Sequence, residues 1–162
     1  INLGCKNIAL LSSIDNLSVG KLRAEGYLKA LEVNKIAIKN DIILRTDSED
    51  DLNEKIENFN DDNTIDGIFA LDETDSVAAL KFGLKKGYKI PEELSIIGFA
   101  DGILASRRLS PRLTTVSQHG IEIGEVAAKL LIDRLESKEE HIPYETKVIK
   151  TKLKERESTR KL

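Results

Sequence analysis

Short apolar segments alternate with longer segments of helical periodicity along most of this 162-residue chain. Within residues 18–33, Leu22, Gly26 and Ala30 recur at helical spacing, and Gly26 is expected to let this helix approach a sheet closely. Strands separated by helices of this length form βαβ units. The alternation therefore predicts an α/β fold with a parallel, doubly wound sheet and helices on both of its faces.

The sequence pattern also places the individual elements. The predicted strands cover residues 7–11, 41–45, 66–71, 94–99 and 113–116, and a loosely alternating tail over 146–153 suits an edge strand. The predicted helices cover 18–33, 48–59, 77–84 and 121–135. The last helix has a wider apolar arc than one sheet contact needs, so we expect it to pack on another part of the protein or on another copy.

Composition excludes several classes of protein. Charged residues make up 33% and hydrophobic residues 40%, which is typical of a folded domain and not of a disordered chain. A net charge of −3 argues against a general nucleic-acid binder, which needs a concentrated basic surface. The single cysteine, Cys5, rules out an internal disulfide framework and favours a reducing, cytoplasmic location. Because the chain contains no Met and opens at Ile1 like the tail of a helix, we expect an upstream portion of the protein.

Polar side chains follow the predicted strands at their carboxyl ends, where open α/β sheets bind ligands. Arg23, early in the first helix, is the well-placed base among them. Carboxylates and an arginine fork each engage two neighbouring hydroxyl groups at once, which suits a sugar or a similar polyol. The residues at the strand ends are Ser13, Asp15, Thr46, Asp47, Asp72, Glu73, Asp101, Ser117 and Gln118.

The sequence lacks the motifs of phosphate-binding, hydrolase and metal sites. Neither a glycine-rich phosphate loop nor a nucleophile elbow is present, and His119 and His141 have no metal-ligand spacing, so we expect no enzyme activity, no metal and no cofactor. Structural interpretations stay open beside the binding one. Asp15, Asp47 and Asp72 are each as well explained as helix N-caps, and Arg23 could be a surface residue. Arg107, Arg108 and the basic tail, Arg156 included, suit solvated faces.

Several motifs resemble those of the lactose/galactose-repressor (LacI/GalR) family of bacterial transcription regulators and occur in the same order as in that family. The resemblance covers nearly the whole chain, and its most specific parts are "KIPEELSIIGF" together with "LTTV" and the glutamine that follows. It implies a periplasmic-binding-protein-like fold and, specifically, the second half of the family's effector-binding region. The other segments that carry it are "GYLKAL" after Arg23, "DGIFALDETDSVAAL", "AAKLLIDRLE" and the closing "RES".

The resemblance also implies roles for residues of the predicted site. Arg23 stands where the family has its effector-contacting arginine, Asp72 where it has a ligand-contacting asparagine, and Gln118 in the hinge position after "TTVS". The family's ligand-binding aspartate corresponds to position 100, where this chain has Ala100, so either the neighbouring Asp101 takes that role or the contact is changed. The aromatic residue that often stacks on the sugar is replaced by the run 46–48, so the resemblance does not identify the effector.

At the level of the whole protein, the resemblance implies a cytoplasmic regulator in which a small effector controls DNA binding allosterically. Its partners would be the effector, operator DNA through an upstream helix-turn-helix domain, and a second copy in a homodimer. Residues 1–118 would form the effector-binding subdomain, and 119–162 a crossover helix and strand that complete the other subdomain.

Two other classes of protein would share part of this sequence pattern. A phosphoacceptor receiver domain would place its aspartate at Asp72, but it also needs an acidic pair after the first strand and a lysine after the fifth. Asp15 alone meets the first requirement, and "VSQ" fails the second. A sugar-binding protein of a transport system would share the fold, but the "IPEELSIIGF" and "RES" segments favour the regulators.

Overall fold

The computed structural model describes residues 1–59, 65–99, 109–138 and 143–161. In these residues, strands and helices alternate as predicted through the first four strands. The strands are β1 (Ile8–Ser12), β2 (Ile43–Arg45), β3 (Gly67–Ala70), β4 (Ser95–Phe99), β5 (Thr114–Ser117) and β6 (Lys152–Lys154). The helices are α1 (Ser18–Val33), α2 (Glu49–Glu57), α3 (Glu73–Lys85) and α4 (Gly120–Glu136), with a 3₁₀ turn at Asn40–Ile42.

The strands form one six-stranded sheet with the order β2-β1-β3-β4-β5-β6. The first five strands are parallel and β6 is antiparallel to β5, which confirms the predicted α/β fold. The strand order reverses beside β1, because β2 lies on one side of it and β3 on the other. Ligand sites of such sheets lie at this kind of reversal, outside the carboxyl ends of the strands.

Helices cover the two sheet faces unequally. On one face, α2 and α3 bury a large apolar cluster that includes Leu52, Phe82 and Ile96. Gly98 permits this close packing, since a Cβ atom there would lie 1.9 Å from the Ser76 hydroxyl on α3. On the other face, α1 packs a smaller cluster around Leu10. The second face is therefore the less completely covered one.

The close approach expected at Gly26 occurs instead at another glycine of the same helix. A Cβ atom on Gly26 would meet no atom within 4 Å, so the expectation for Gly26 is wrong. A Cβ atom on Gly20 would lie 2.1 Å from the backbone oxygen of Ile14. The first turn of α1 packs on the loop that leaves β1, and the middle of the helix borders an open groove.

Helix α4 has no buried side chain, although its sequence is rich in apolar residues. Ile121 is 82% exposed and Leu135 is 75% exposed. This agrees with the expectation that the wide apolar arc packs on something other than the sheet of this chain. Among the described helices, none is long and apolar enough to span a membrane.

The carboxyl-terminal tail packs against β4 and β5. Ser158 is fully buried, and its hydroxyl donates to the Ile96 carbonyl at 2.6 Å and accepts from the Thr114 N–H at 2.8 Å. Arg156 donates to the Leu113 carbonyl at 2.6 Å and to the Thr115 hydroxyl at 2.9 Å, so its expected solvated position is wrong. These bonds satisfy polar groups that would otherwise be buried without partners.

Candidate effector site at the carboxyl edge of the sheet

Arg23 reaches from α1 over the end of β3. One Nη group donates to the Leu71 carbonyl at 2.6 Å, and the other donates to the Gln118 side-chain oxygen at 3.2 Å. The guanidinium carbon also lies 4.0 Å from the centre of the Phe99 ring. Burial lowers the pKa of the Arg23 guanidinium and the nearby Asp72 carboxylate partly offsets this, yet an arginine stays charged at neutral pH.

Gln118 follows β5 directly and lies 95 positions from Arg23 in the sequence. Two residues predicted for the site, which belong to different segments, are therefore in contact. A guanidinium carries five N–H donors in a planar fork, and Arg23 uses two of them within the described residues. The remaining donors are available to a polar ligand at the sheet edge.

Asp72 ends the β3 segment and caps α3. One of its carboxylate oxygens accepts from the Asp75 N–H at 2.8 Å, which is the N-cap geometry expected as the structural alternative. Its charge nevertheless acts on Arg23. Asp72 directly follows Leu71, whose carbonyl accepts from Arg23, and helix capping occupies one of its two oxygens. We call Arg23, Asp72 and Gln118 the edge cluster.

Asp15 belongs to a separate pair at the same edge. Its carboxylate contacts Arg45 Nε at 2.6 Å and accepts from the Ser12 hydroxyl at 2.8 Å. These contacts link the end of β1 to the end of β2. Neither Asp15 nor Asp47 caps a helix, because α1 begins after Leu17 and the side chain of Ser48 caps α2.

Asp101, Arg107 and Arg108 lie outside the described residues.

The sequence analysis missed one buried acid. Asp75 is fully buried in the first turn of α3, and its carboxylate accepts from the Ser13 hydroxyl at 2.7 Å and the Ser13 N–H at 3.2 Å. Burial raises its pKa to about 6; the charges of Asp72 and Glu49 add to this rise, while the two bonds from Ser13 oppose it. An acidic residue in the first turn of a helix is usually exposed to solvent. The sequence therefore carried no signal that Asp75 is buried.

An apolar groove of about 490 Å³ also went unpredicted. It lies between α1 and the strands β3 and β4, and its floor carries Phe69 and Phe99. The available signal for this face was the alternation of Ile97 and Phe99 on β4, together with Phe69 on β3. The groove is lined by Cys5, Ile8, Leu22, Gly26, Ala30, Phe69, Ile97 and Phe99, with Arg23 at its end.

Comparison with known proteins identifies the family. The model of the periplasmic binding protein-like domain matches residues 1–159. The chain belongs to this family. Within it, the chain is part of the effector-binding domain of a LacI-family transcription regulator, as the motifs had predicted. The matched proteins are named as regulators and repressors, not as enzymes.

The individual relatives show how much of such a protein this chain represents. The ribose operon repressor of Halalkalibacterium halodurans is 34% identical over 160 residues, which are 97% of this chain and 46% of the repressor. A LacI-family regulator from Enterococcus faecium, solved with bound ribose, has a TM-score of 0.78 at 29% identity and aligns with 98% of this chain and 58% of its own. The regulator CelR in complex with cellobiose has a TM-score of 0.81 at 25% identity over 97% of this chain and 48% of its own.

Proposed function

We propose that the edge cluster contacts a small, uncharged sugar in a LacI-family regulator whose affinity for DNA depends on that sugar. The convergence of Arg23, Asp72 and Gln118 at the carboxyl edge carries this proposal, because these side chains come from three separate segments. An arginine fork and a carboxylate together can pair with the neighbouring hydroxyl groups of a sugar.

The charges around the edge cluster favour an uncharged effector over a phosphorylated one. The negative charge of Asp72 acts on Arg23 at the edge of the sheet. A carboxylate close to the binding arginine repels a phosphate group and accepts hydrogen bonds from hydroxyl groups. Ribose is the first probe to test, because the regulator from Enterococcus faecium was solved with ribose bound and the Halalkalibacterium relative is named a ribose operon repressor.

The proposed regulation requires more protein than this chain. The chain spans about half the length of the relatives it matches. We place the DNA-binding helix-turn-helix and the first half of the sensing region in the remainder of the full-length protein, which acts on operator DNA in the cytoplasm. The sugar changes DNA binding only to the extent that it binds one arrangement of the two sensing halves more tightly than the other.

Helix α4 supports the crossover proposed after residue 118, whereas the tail beyond it pairs through β6 with β5 and so lies in the sheet of the first subdomain. Its apolar residues are exposed along its length, and Ile121, Leu131 and Leu135 are more than half exposed. A contiguous apolar surface of this kind marks a contact with another part of a protein. We place the second sensing half of the full-length protein on α4, so that residues 119–138 cross from one half to the other.

We further propose that the regulator is a homodimer and that the apolar groove beside α1 faces the second copy. Leu22 is 65% exposed at the rim of the groove, and Gly26 and Ala30 keep the helix side of the groove shallow. A groove lined almost entirely by apolar side chains suits the hydrophobic centre of an interface between two chains.

The sugar proposal is tested by calorimetric titration of the full-length regulator with D-ribose. We expect Arg23→Ala to weaken ribose binding by at least about a hundredfold, because several charge-assisted hydrogen bonds are lost. Arg112→Ala is the matched control, because the Arg112 side chain is 54% exposed and pairs with Glu157 before the start of β5; this variant should bind ribose like the wild type. Equal ribose affinity of the Arg23→Ala variant and the wild type would remove Arg23 from the site.

A further inference from the structure

The Arg23 guanidinium is held by three contacts within this chain. Two of its nitrogen atoms donate to acceptors at the carboxyl edge, and its central carbon lies over the Phe99 ring, 4.0 Å from the ring centre. A cation over an aromatic face is attracted by the negative charge of the ring face, and guanidinium groups favour this stacked geometry.

The Phe99 ring is itself held by other rings. Its centre lies 5.9 Å from that of Phe69 at an angle of 57°, and the Phe69 ring stacks on Tyr27 at 6.4 Å. The Tyr27 hydroxyl donates to the Ile8 carbonyl at 2.7 Å, which fixes the position of the Tyr27 ring. The three rings therefore form an aromatic row that runs along the groove and ends under Arg23.

We propose that Phe99 is a positioning residue for the effector-contacting Arg23: its ring fixes the plane of the guanidinium, so that the unused N–H groups face the ligand before the ligand arrives. This inference rests on the proposed function and adds to it a residue that need not touch the sugar. A side chain that is already oriented loses less conformational entropy on binding, which raises affinity.

The same geometry connects the effector site with the groove. Phe99 and Phe69 are floor residues of the groove, and Arg23 lies at its end. Any change in the packing of the groove that tilts Phe99 therefore changes the plane of Arg23. The aromatic row thus gives the occupant of the groove a direct physical route to the effector arginine.

Nuclear magnetic resonance tests the positioning without any sugar. A ring under a guanidinium shifts the Nε–H proton signal of that arginine upfield, and Arg23→Lys identifies the signal by removing it. We expect Phe99→Leu to return the signal to the position of an unstacked arginine. Phe99→Tyr, which keeps the ring face, should retain the shift.

Phe82→Leu is the matched control, since Phe82 is a buried ring that packs on Phe59 at 5.8 Å on the opposite sheet face. It should leave the Arg23 signal in place. If Phe99→Leu is poorly folded, Phe99→Met fills more of the lost volume and serves instead. An Arg23 signal that is the same with and without the Phe99 ring, or that moves as far in Phe82→Leu, would overturn the proposal.

Calorimetry with D-ribose then separates this proposal from the proposed function. Phe99→Leu should weaken ribose binding by about tenfold and Phe99→Tyr should restore it. Ribose affinity that is unchanged in Phe99→Leu would refute the positioning role and leave the sugar site intact. If ribose does not bind the wild type but the resonance shifts follow the Phe99 ring, the sugar assignment fails and the positioning of Arg23 is supported.

Discussion

Asp75 shows how a single buried acid can make this fold sensitive to pH. It is fully buried, it accepts two hydrogen bonds from Ser13, and the charges that act on it, from Asp72 and Glu49, are themselves negative. Its pKa of about 6 lies above the ordinary value of 3.8, so the folded chain holds this proton more tightly than the unfolded chain does. The stability that the proton contributes is complete below pH 3.8 and is lost as the pH rises through about 6.

We therefore expect the free energy of unfolding of the wild type to fall between about pH 4 and pH 7 by roughly 3 kcal/mol from this group. Asp75→Asn cannot ionise, so its free energy of unfolding should lack this part of the pH dependence, whatever its absolute value. Urea denaturation at a series of pH values measures both curves.

Asp50→Asn is the control for that comparison, because Asp50 is exposed at the start of α2. Its curve should run parallel to that of the wild type. Parallel curves for Asp75→Asn and the wild type would contradict the assignment of the pH dependence to Asp75.

At the scale of elements, α1 is the helix that joins the edge cluster and the apolar groove. Its second turn supplies Arg23 to the edge cluster, and its middle forms one side of the apolar groove. Its two glycines serve different purposes. Gly20 lets the first turn pack on the backbone of Ile14, whereas Gly26 leaves open space beside the sheet.

Alanine substitution should separate these two purposes. We expect Gly26→Ala to raise the free energy of unfolding by about 1 kcal/mol, because alanine is the better helix former and its methyl group meets no neighbour. Gly20→Ala should lower it by about 1–3 kcal/mol, since the added carbon would overlap the Ile14 carbonyl. Urea denaturation at low protein concentration, where the chains are monomeric, compares the pair.

The two variants lie in the same helix and make the same chemical change, so each is the other's control. A Gly20→Ala variant as stable as the wild type would show that the first turn of α1 can move away from Ile14. A destabilised Gly26→Ala variant would show that the groove is filled in the monomer.

At the scale of the whole molecule, two apolar surfaces remain uncovered in the described residues: the groove beside α1 and the length of α4. Surfaces of this kind mark contacts with other chains or domains. We have assigned the groove to a second copy and α4 to the other sensing half. The two assignments predict different results for substitutions in the isolated chain.

Leu22→Glu should weaken self-association of this chain by at least about tenfold, because it places a charge at the rim of the groove and leaves it unpaired in the interface. Leu135→Glu, on the exposed α4, should leave self-association unchanged. Sedimentation velocity over a range of concentrations measures both. Self-association that survives Leu22→Glu, or that disappears in Leu135→Glu, would reject the groove as the dimer contact.

Particular residues show what could be predicted from the sequence and why the rest could not. The bounds of α1 agree with the prediction at both ends, because helical periodicity is a local property. The tail strand is shorter than the predicted 146–153, as only Lys152–Lys154 pair with β5. Arg156 was assigned to the solvated surface because it lies among basic residues, whereas the fold gives it acceptors on β5.

The sequence by itself determined the α/β class and the family, and it predicted a ligand site at the carboxyl edge of the sheet, since these depend on periodicity and on contiguous motifs. Only the tertiary structure decided which polar residues form one cluster. Arg23 meets the Leu71 carbonyl 48 positions away and Gln118 95 positions away, and Asp15 instead pairs with Arg45. It also decided that Asp75 is buried and that Phe99 underlies Arg23. The physical reason is that strand order sets these contacts, and no local pattern in the chain encodes the distance between the ends of two strands.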